Sequence, residues 1–118
     1  MKRQAPEARL QKCIAQHLRL NGAFFWSVPN ERKSSFANMA HLKAMGLLPG
    51  VSDLIIVVDG KIHCLEVKAP EGKQSDHQRA FALRCFDEGI PYVCIFNIGE
   101  ALDVLTKWRA IKPTRLAA

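Results

Sequence analysis

Three residues in the segment VSDLIIVVDGKIHCLEVK, from Val51 to Lys68, have the types and spacing to do chemistry: Asp53, Glu66 and Lys68. Two apolar runs flank Asp59-Gly60, the dipeptide that most strongly signals a two-residue hairpin turn. Such a turn fixes the register. Val58 must face Lys61, and counting back sets Asp53 opposite Glu66. Directly opposed strand positions hold their Cβ atoms about 4.5–5.5 Å apart, close enough for two carboxylates to repel. A divalent cation is the natural compensation. Lys68 lies two residues beyond Glu66 and therefore projects from the same face. Asp, Glu and Lys converging on one sheet face form a metal-dependent hydrolase constellation. Hard oxygen donors of this kind suit Mg²⁺ or Mn²⁺, an ion that lowers the pKa of a water and stabilises charge on phosphate oxygens. Lys68 would orient or deprotonate the attacking water, or stabilise the transition state. The plainer alternatives are a salt bridge for Lys68 and a pair of solvated strand-end acids for the carboxylates. Opposition inside a hairpin apolar on both faces makes the second alternative costly.

These residues must be positioned by the elements around them. Pro6 to Leu20 reads as a helix, with Pro in the first turn and Asn21-Gly22 as the stop; Glu7, Gln11, Ile14 and Leu18 share one of its faces. Ala23 to Val28 reads as a strand, and Pro29 to Lys33 as a polar loop. Ser34 to Met45 reads as a helix capped by Ser34 or Ser35, with Gly46 past its end. In the hairpin, Ile55, Val57, Ile62 and Cys64 share the Asp53 face, and Leu54, Ile56, Val58, Leu65 and Val67 share the other. Apolar residues on both faces imply central strands covered by helices. After a polar loop from Ala69 to Gln74, Asp76 to Glu88 is a helix ended by Gly89. Tyr92 to Phe96 is a strand, Glu100 to Ala110 a last helix, and Ile111 to Ala118 a loose tail. The order is αβαββαβα: an α/β fold with a mixed four-stranded sheet and helices on both faces.

The motifs carry a resemblance. Asp53, twelve intervening residues and Glu66-x-Lys68 resemble the PD-(D/E)xK nuclease superfamily. The flanks, GLLPGVSDL from Gly46 and LEVKAPEGKQSDHQRAF from Leu65, resemble the VRR-NUC nuclease domain, its short standalone form in particular. The likeness runs from about Glu7 to the strand near Phe96. Asp-x₁₂-Glu-x-Lys alone is weakly specific; with the G-x-x-x-G-x-x-D approach and the following S-x-x-Q it is fairly specific. Ser52 departs from the pattern, standing where the superfamily usually has Pro. The resemblance implies a restriction-endonuclease-like core. It also implies Glu7 as a helix-borne metal ligand, the Val67 carbonyl as another, and Gln78 at the active site beside Lys68. Each has a bland counterpart: Glu7 as a first-turn acid favouring the helix dipole, and Gln78 as half of a capping box with Ser75. Gln78 also shares a helix face with Phe81 and Cys85, which aims it at the sheet.

Composition points the same way. The chain has 118 residues, suited to one domain, and a net charge of +6. That balance argues for an anionic partner, nucleic acid first. Arg32, Lys33, Lys43, Lys73 and Arg79 fall in loops or helix ends near the hairpin and are candidates for phosphate contact; taken singly, such a residue is more often a solvated surface charge. Trp26 and Trp108 are candidates for base stacking, with core packing the stronger expectation for Trp26. His17, His41, His63 and His77 lack metal spacing. Cys13, Cys64, Cys85 and Cys94 lack CxxC or zinc spacing and read as reduced core residues. No apolar run is long enough to span a membrane, and the first residues lack a signal-peptide core. The expected location is the cytoplasm of a bacterial or phage-infected cell.

The leading expectation is a metal-dependent endonuclease acting on DNA. Its rivals are a non-cleaving DNA- or protein-binding module on the same fold, and a nuclease of RNA or a small-molecule phosphodiesterase. Four-way junctions enter only through the resemblance to standalone members of the family, and so does a homodimer as their resolvase. Independently, one active site per chain requires two copies to cut two strands symmetrically.

Overall fold

The computed structural model describes residues 6–28 and 36–113. Within them the order is α1 (Pro6–Leu20), β1 (Phe24–Ser27), α2 (Phe36–Ala44), β2 (Leu54–Val58), β3 (Lys61–Val67), α3 (Asp76–Glu88), β4 (Tyr92–Ile95) and α4 (Ile98–Lys107). The four strands lie side by side in the order β1-β2-β3-β4. β1–β2 and β2–β3 pair antiparallel, and β3–β4 pair parallel across the α3 connection. The expected mixed sheet, with its αβαββαβα order, is the one found.

The hairpin register follows from its turn. Asp59 and Gly60 both hold positive φ, 52° and 75°, the backbone that a two-residue turn matched to strand twist needs. Val58 pairs with Lys61 and Leu54 with Leu65. One more step in that register sets Asp53 against Glu66.

Alternation along β2 and β3 then sorts the side chains between two clusters. Leu54, Ile56, Leu65 and Val67 pack with Ile14 and Leu18 of α1 and with Ala101 and Leu105 of α4. Ile55 and Cys64 pack on the opposite face with Cys85 of α3, supported by Phe81 and Tyr92. Helices thus cover both faces, but unevenly. On the α3 side the turn end of the hairpin stays open, and Ile62 there is 47% exposed.

Three expectations shift. The last helix begins at Ile98 rather than Glu100, because the Asn97 side chain accepts from the Glu100 N–H as its cap. The chain after α4 is docked at Ile111, which is 6% exposed within the core, and the Lys112 N–H donates to Asn21 Oδ1 at 2.9 Å; residues 114–118 lie outside the described residues. Trp26 is an edge-strand residue, 43% exposed and tilted against Phe24. β1 has a neighbour on one side only, so its outward side chains lack the second layer that would bury them. Trp108 packs on His63.

Candidate active site

The site forms where the N-terminal end of β2, the C-terminal end of β3, and the first turns of α1 and α3 meet. Asp53 precedes β2 and turns its carboxylate across the hairpin, where Oδ2 accepts from the Val67 N–H at 2.8 Å. Glu66 and Lys68 are 1% and 3% exposed. Glu66 Oε2 accepts from the Gln78 side-chain amide at 2.8 Å, while the same side chain's Oε1 accepts from the Ser75 N–H at 2.8 Å. One amide therefore completes the capping box and also contacts Glu66. Glu7 reaches the same corner from the opposite layer, with Oε1 accepting from the Ala69 N–H at 3.3 Å.

The approach to Asp53 explains its glycine. Gly50 holds φ +86°, and a Cβ there would sit 2.3 Å from the His77 carbonyl group and 2.7 Å from the Gln78 N atom. Only a residue without a side chain lets this segment lie against the first turn of α3, which brings Gln78 up to Glu66. Ser52 is fully buried, and its hydroxyl donates to the Leu54 carbonyl at 3.3 Å. The residue that departs from the superfamily pattern is thus a packed link at the strand entry.

The electrostatics are those of crowded acids. Burial pushes the Glu66 carboxyl well above the usual carboxylate range. Repulsion by Asp53, together with a carboxyl–carboxyl hydrogen bond that favours the protonated form, adds to the rise; Lys68 opposes it, and Glu7 adds a little more. Among the described residues Glu66 Oε1 is buried with no hydrogen-bond partner. Among the described residues Lys68 has no ion pair within 4.0 Å, so the salt bridge to Glu66 or Asp53 that was its plainer alternative is not formed. A buried acceptor without a donor is costly, and either a proton on Glu66 or a bound cation would relieve it. The donor set fits a hard divalent ion: oxygens of Asp53 and Glu66, with Glu7 and the Val67 carbonyl nearby in the chain path. It is not a ready-made cage, since among the described residues no three His, Cys, Asp or Glu side chains are grouped to hold a metal. Gln78 and backbone N–H groups occupy several of the carboxylate oxygens instead.

Among the basic residues, Lys73 lies exposed in the loop after Lys68. Lys43 lines a groove of about 450 Å³ with His77 and Arg84, between the end of α2 and α3. Arg79 is tied to Asp76 and to the Gln74 carbonyl. Arg32 and Lys33 lie outside the described residues. Sequence reasoning missed Gln74, whose amide donates to the Tyr92 hydroxyl at 2.8 Å and fixes the loop leading from Lys68 to α3; a lone Gln in a polar loop carried no signal.

The family model for the VRR-NUC domain matches residues 5–95. The chain belongs to the VRR-NUC family. The matched span of this VRR-NUC domain holds Glu7, Asp53, Glu66, Lys68 and Gln78, and stops at the end of β4. A solved structure described as a VRR_NUC domain superposes with a TM-score of 0.63 at 21% identity, over 88% of this chain and 97% of that one. That likeness shows the fold, a nuclease-like one. No significant match is found among curated proteins. Among the described residues no helix of the VRR-NUC chain is long and apolar enough to cross a membrane.

Proposed function

We propose that this VRR-NUC protein is a metal-dependent endonuclease that hydrolyses phosphodiester bonds of DNA. The observation that carries the reading is the buried Glu66 Oε1, unpartnered and across the hairpin from Asp53. A domain with no use for a cation would be more stable with an apolar or amide residue at Glu66. Asp53 and Glu66 would hold Mg²⁺ or Mn²⁺, with Glu7 and the Val67 carbonyl contributing. When bound there, the ion supplies an acidified water and neutralises charge on the phosphate. Gln78 orients Glu66 through its amide, leaving Oε1 for the ion. Lys68, buried and free of an ion pair among the described residues, keeps its ammonium for the attacking water or for the charge that grows on the phosphate oxygens. Lys43, Lys73 and Arg79, with Arg32 and Lys33, would meet the DNA backbone. One site per chain means that symmetric cutting of two strands, as at a branched junction, takes a homodimer. Free cysteines throughout suit a reducing compartment such as the cytoplasm.

The absence of a preformed metal cage among the described residues favours, as the second reading, a module that binds DNA or a protein without cleaving. One assay separates them. Purified protein is incubated with supercoiled plasmid, RNA and branched DNA, in Mg²⁺, in Mn²⁺ and in chelator. The endonuclease reading expects DNA nicking that needs the metal and that disappears in Asp53→Asn and Glu66→Gln, while DNA binding persists. Binding without nicking in any metal would establish the module instead.

A further inference from the structure

The loop from Ala69 to Gln74 joins Lys68 to the cap of α3, and it is pinned at both ends. At its start the Ala69 N–H donates to Glu7 Oε1 at 3.3 Å, and the Gly72 N–H turns back to the Ala69 carbonyl at 2.8 Å. At its far end Gln74 is held twice. Its side-chain amide donates to the Tyr92 hydroxyl at 2.8 Å, and its carbonyl accepts from the Arg79 guanidinium at 2.7 Å. Arg79 is a long, exposed side chain on α3 itself, so it ties the loop to its own helix. Tyr92 ties it to the sheet. It lies on β4 beside Cys64, on the face that also carries Glu66. Its half-buried ring stands edge-on to Phe81, with 6.0 Å between centres. Burial, and after it the charge of Glu66, raises its hydroxyl above the usual tyrosine range, so the acceptor offered to Gln74 is a neutral hydroxyl.

The peptide between Gln74 and Ser75 decides how Gln78 points. It is one planar unit: Arg79 holds its carbonyl on one side, and its N–H, that of Ser75, projects on the other. An N–H is a donor, so the Gln78 atom that meets it at 2.8 Å is the amide oxygen. The amide nitrogen is thereby left to donate to Glu66 Oε2, also at 2.8 Å. With the Ser75 N–H turned away, the Gln78 side chain would lose one of its two anchors and swing with the carboxylate it holds. One run of contacts thus leads from sheet to site: the Tyr92 hydroxyl, the Gln74 side chain, the Ser75 N–H, the Gln78 amide and Glu66 Oε2.

We propose that Tyr92 is a positioning residue of the carboxylate site: through Gln74 it fixes the Gln74–Ser75 peptide, and so holds the Gln78 amide on Glu66 Oε2 and leaves Oε1 for the cation. The proposal rests on the metal-dependent reading of the site and adds the residue, on the far strand β4, that presets Glu66 for the ion. A tyrosine that merely filled space under α3 would act on folding alone. The two roles separate in a mutant cycle with Gln78.

Two variants of the full chain test it. Tyr92→Phe keeps the ring against Phe81 and removes the hydroxyl. Gln74→Ala removes the other end of the same bond from a half-exposed loop, so the bond is still probed if the first variant folds poorly. The first readout needs no metal. In chelator, nuclear magnetic resonance should find the Gln78 side-chain NH₂ protons of wild type shifted from free-amide values and slow to exchange with water, and both variants should return them to free-amide behaviour. The second readout is Mn²⁺ affinity by calorimetry. Both variants should bind Mn²⁺ ~10-fold more weakly, the lower end of the range for partners behind a metal ligand. In a Gln78→Ala background the same substitutions should weaken Mn²⁺ binding no further, because the side chain through which Tyr92 acts is gone. An equal loss with and without Gln78 would make Tyr92 structural and overturn the proposal. Unchanged Gln78 signals, or unchanged Mn²⁺ affinity, in both variants would overturn it too. If the Gln78 signals respond as expected but wild type binds no Mn²⁺, the positioning stands and the metal-dependent reading fails. If wild type binds Mn²⁺ and nicks plasmid while the Gln78 signals ignore both variants, the positioning alone fails.

Discussion

The two faces of one hairpin do opposite things. Leu54, Ile56, Leu65 and Val67 point toward α1 and α4 and are each no more than 1% exposed, in an all-apolar cluster. The residues between them, starting from Asp53 and ending at Glu66 and Lys68, point toward α3. There, among the described residues, Ile55, Cys64 and Cys85 form the buried cluster, and a buried carboxylate oxygen lacks a partner. Burial on the first face is favourable at every position. On the second, burial of Glu66 and Lys68 is unfavourable unless something else enters. The difference separates the face that stabilises the sheet from the face of the proposed site. The α1/α4 face holds the strands in register, and that register imposes the opposed carboxylates on the α3 face.

The sharpest way to break this division is Lys68→Ala. Cleavage should slow by ~10²-fold or more, the scale of a positioned acid–base or electrostatic group, while metal binding persists and the thermal transition stays cooperative. Single-turnover kinetics beside calorimetric metal titration check it; normal cleavage would make Lys68 structural. On the opposite face Leu65→Ala should do the reverse. It should cost ~2–5 kcal/mol of folding stability through the cavity it leaves, read by denaturant unfolding, with metal affinity per folded molecule unchanged. A comparable loss of metal affinity would mean that the faces are not separable.

A finer cut compares two halves of one cap. Ser75→Ala and Gln78→Ala each remove one arm of the capping box on α3, and each should cost ~1 kcal/mol. Only Gln78 touches Glu66, so only Gln78→Ala should also change metal affinity. A further effect is one of pH. Below about 4.5, the ordinary value for Glu66, both folded and unfolded chains carry its proton. Above that the unfolded chain releases the proton first, because burial and Asp53 raise the folded value. The metal-free protein should therefore lose stability as pH rises from there toward the raised folded value. Glu66→Gln should flatten that slope, and a slope unchanged in the variant would contradict the electrostatic account.

Much of this was legible in the sequence because local rules carried it. Asp59-Gly60 set the hairpin register, and the register set Asp53 against Glu66. S-x-x-Q placed Gln78, and alternation in β2 and β3 sorted the faces. What escaped depended on neighbours far along the chain. Trp26 looked like core, but β1 turned out to be an edge, and strand order is not written in any one strand. Ile111 looked like tail because its partners, the core residues of α1 and α4, are brought there only by the packed fold. The early start of α4 was in principle readable: Asn97-x-x-Glu100 is a cap signal, and Glu100 Oε1 accepts from the Phe96 N–H beside it. The lack of a Lys68 salt bridge could not be read at all, since it depends on how buried side chains share a few cubic ångströms.

The central claim is that the paired acids of the α3 face exist to hold a divalent cation. Mn²⁺ titration of the wild-type chain and of Glu66→Gln, by calorimetry at neutral pH with no DNA present, tests it most directly. The account expects saturable binding to wild type, accompanied by proton release as Glu66 ionises, and binding that is lost or greatly weakened in the folded variant. Equal binding by both proteins, or none by wild type, would contradict it.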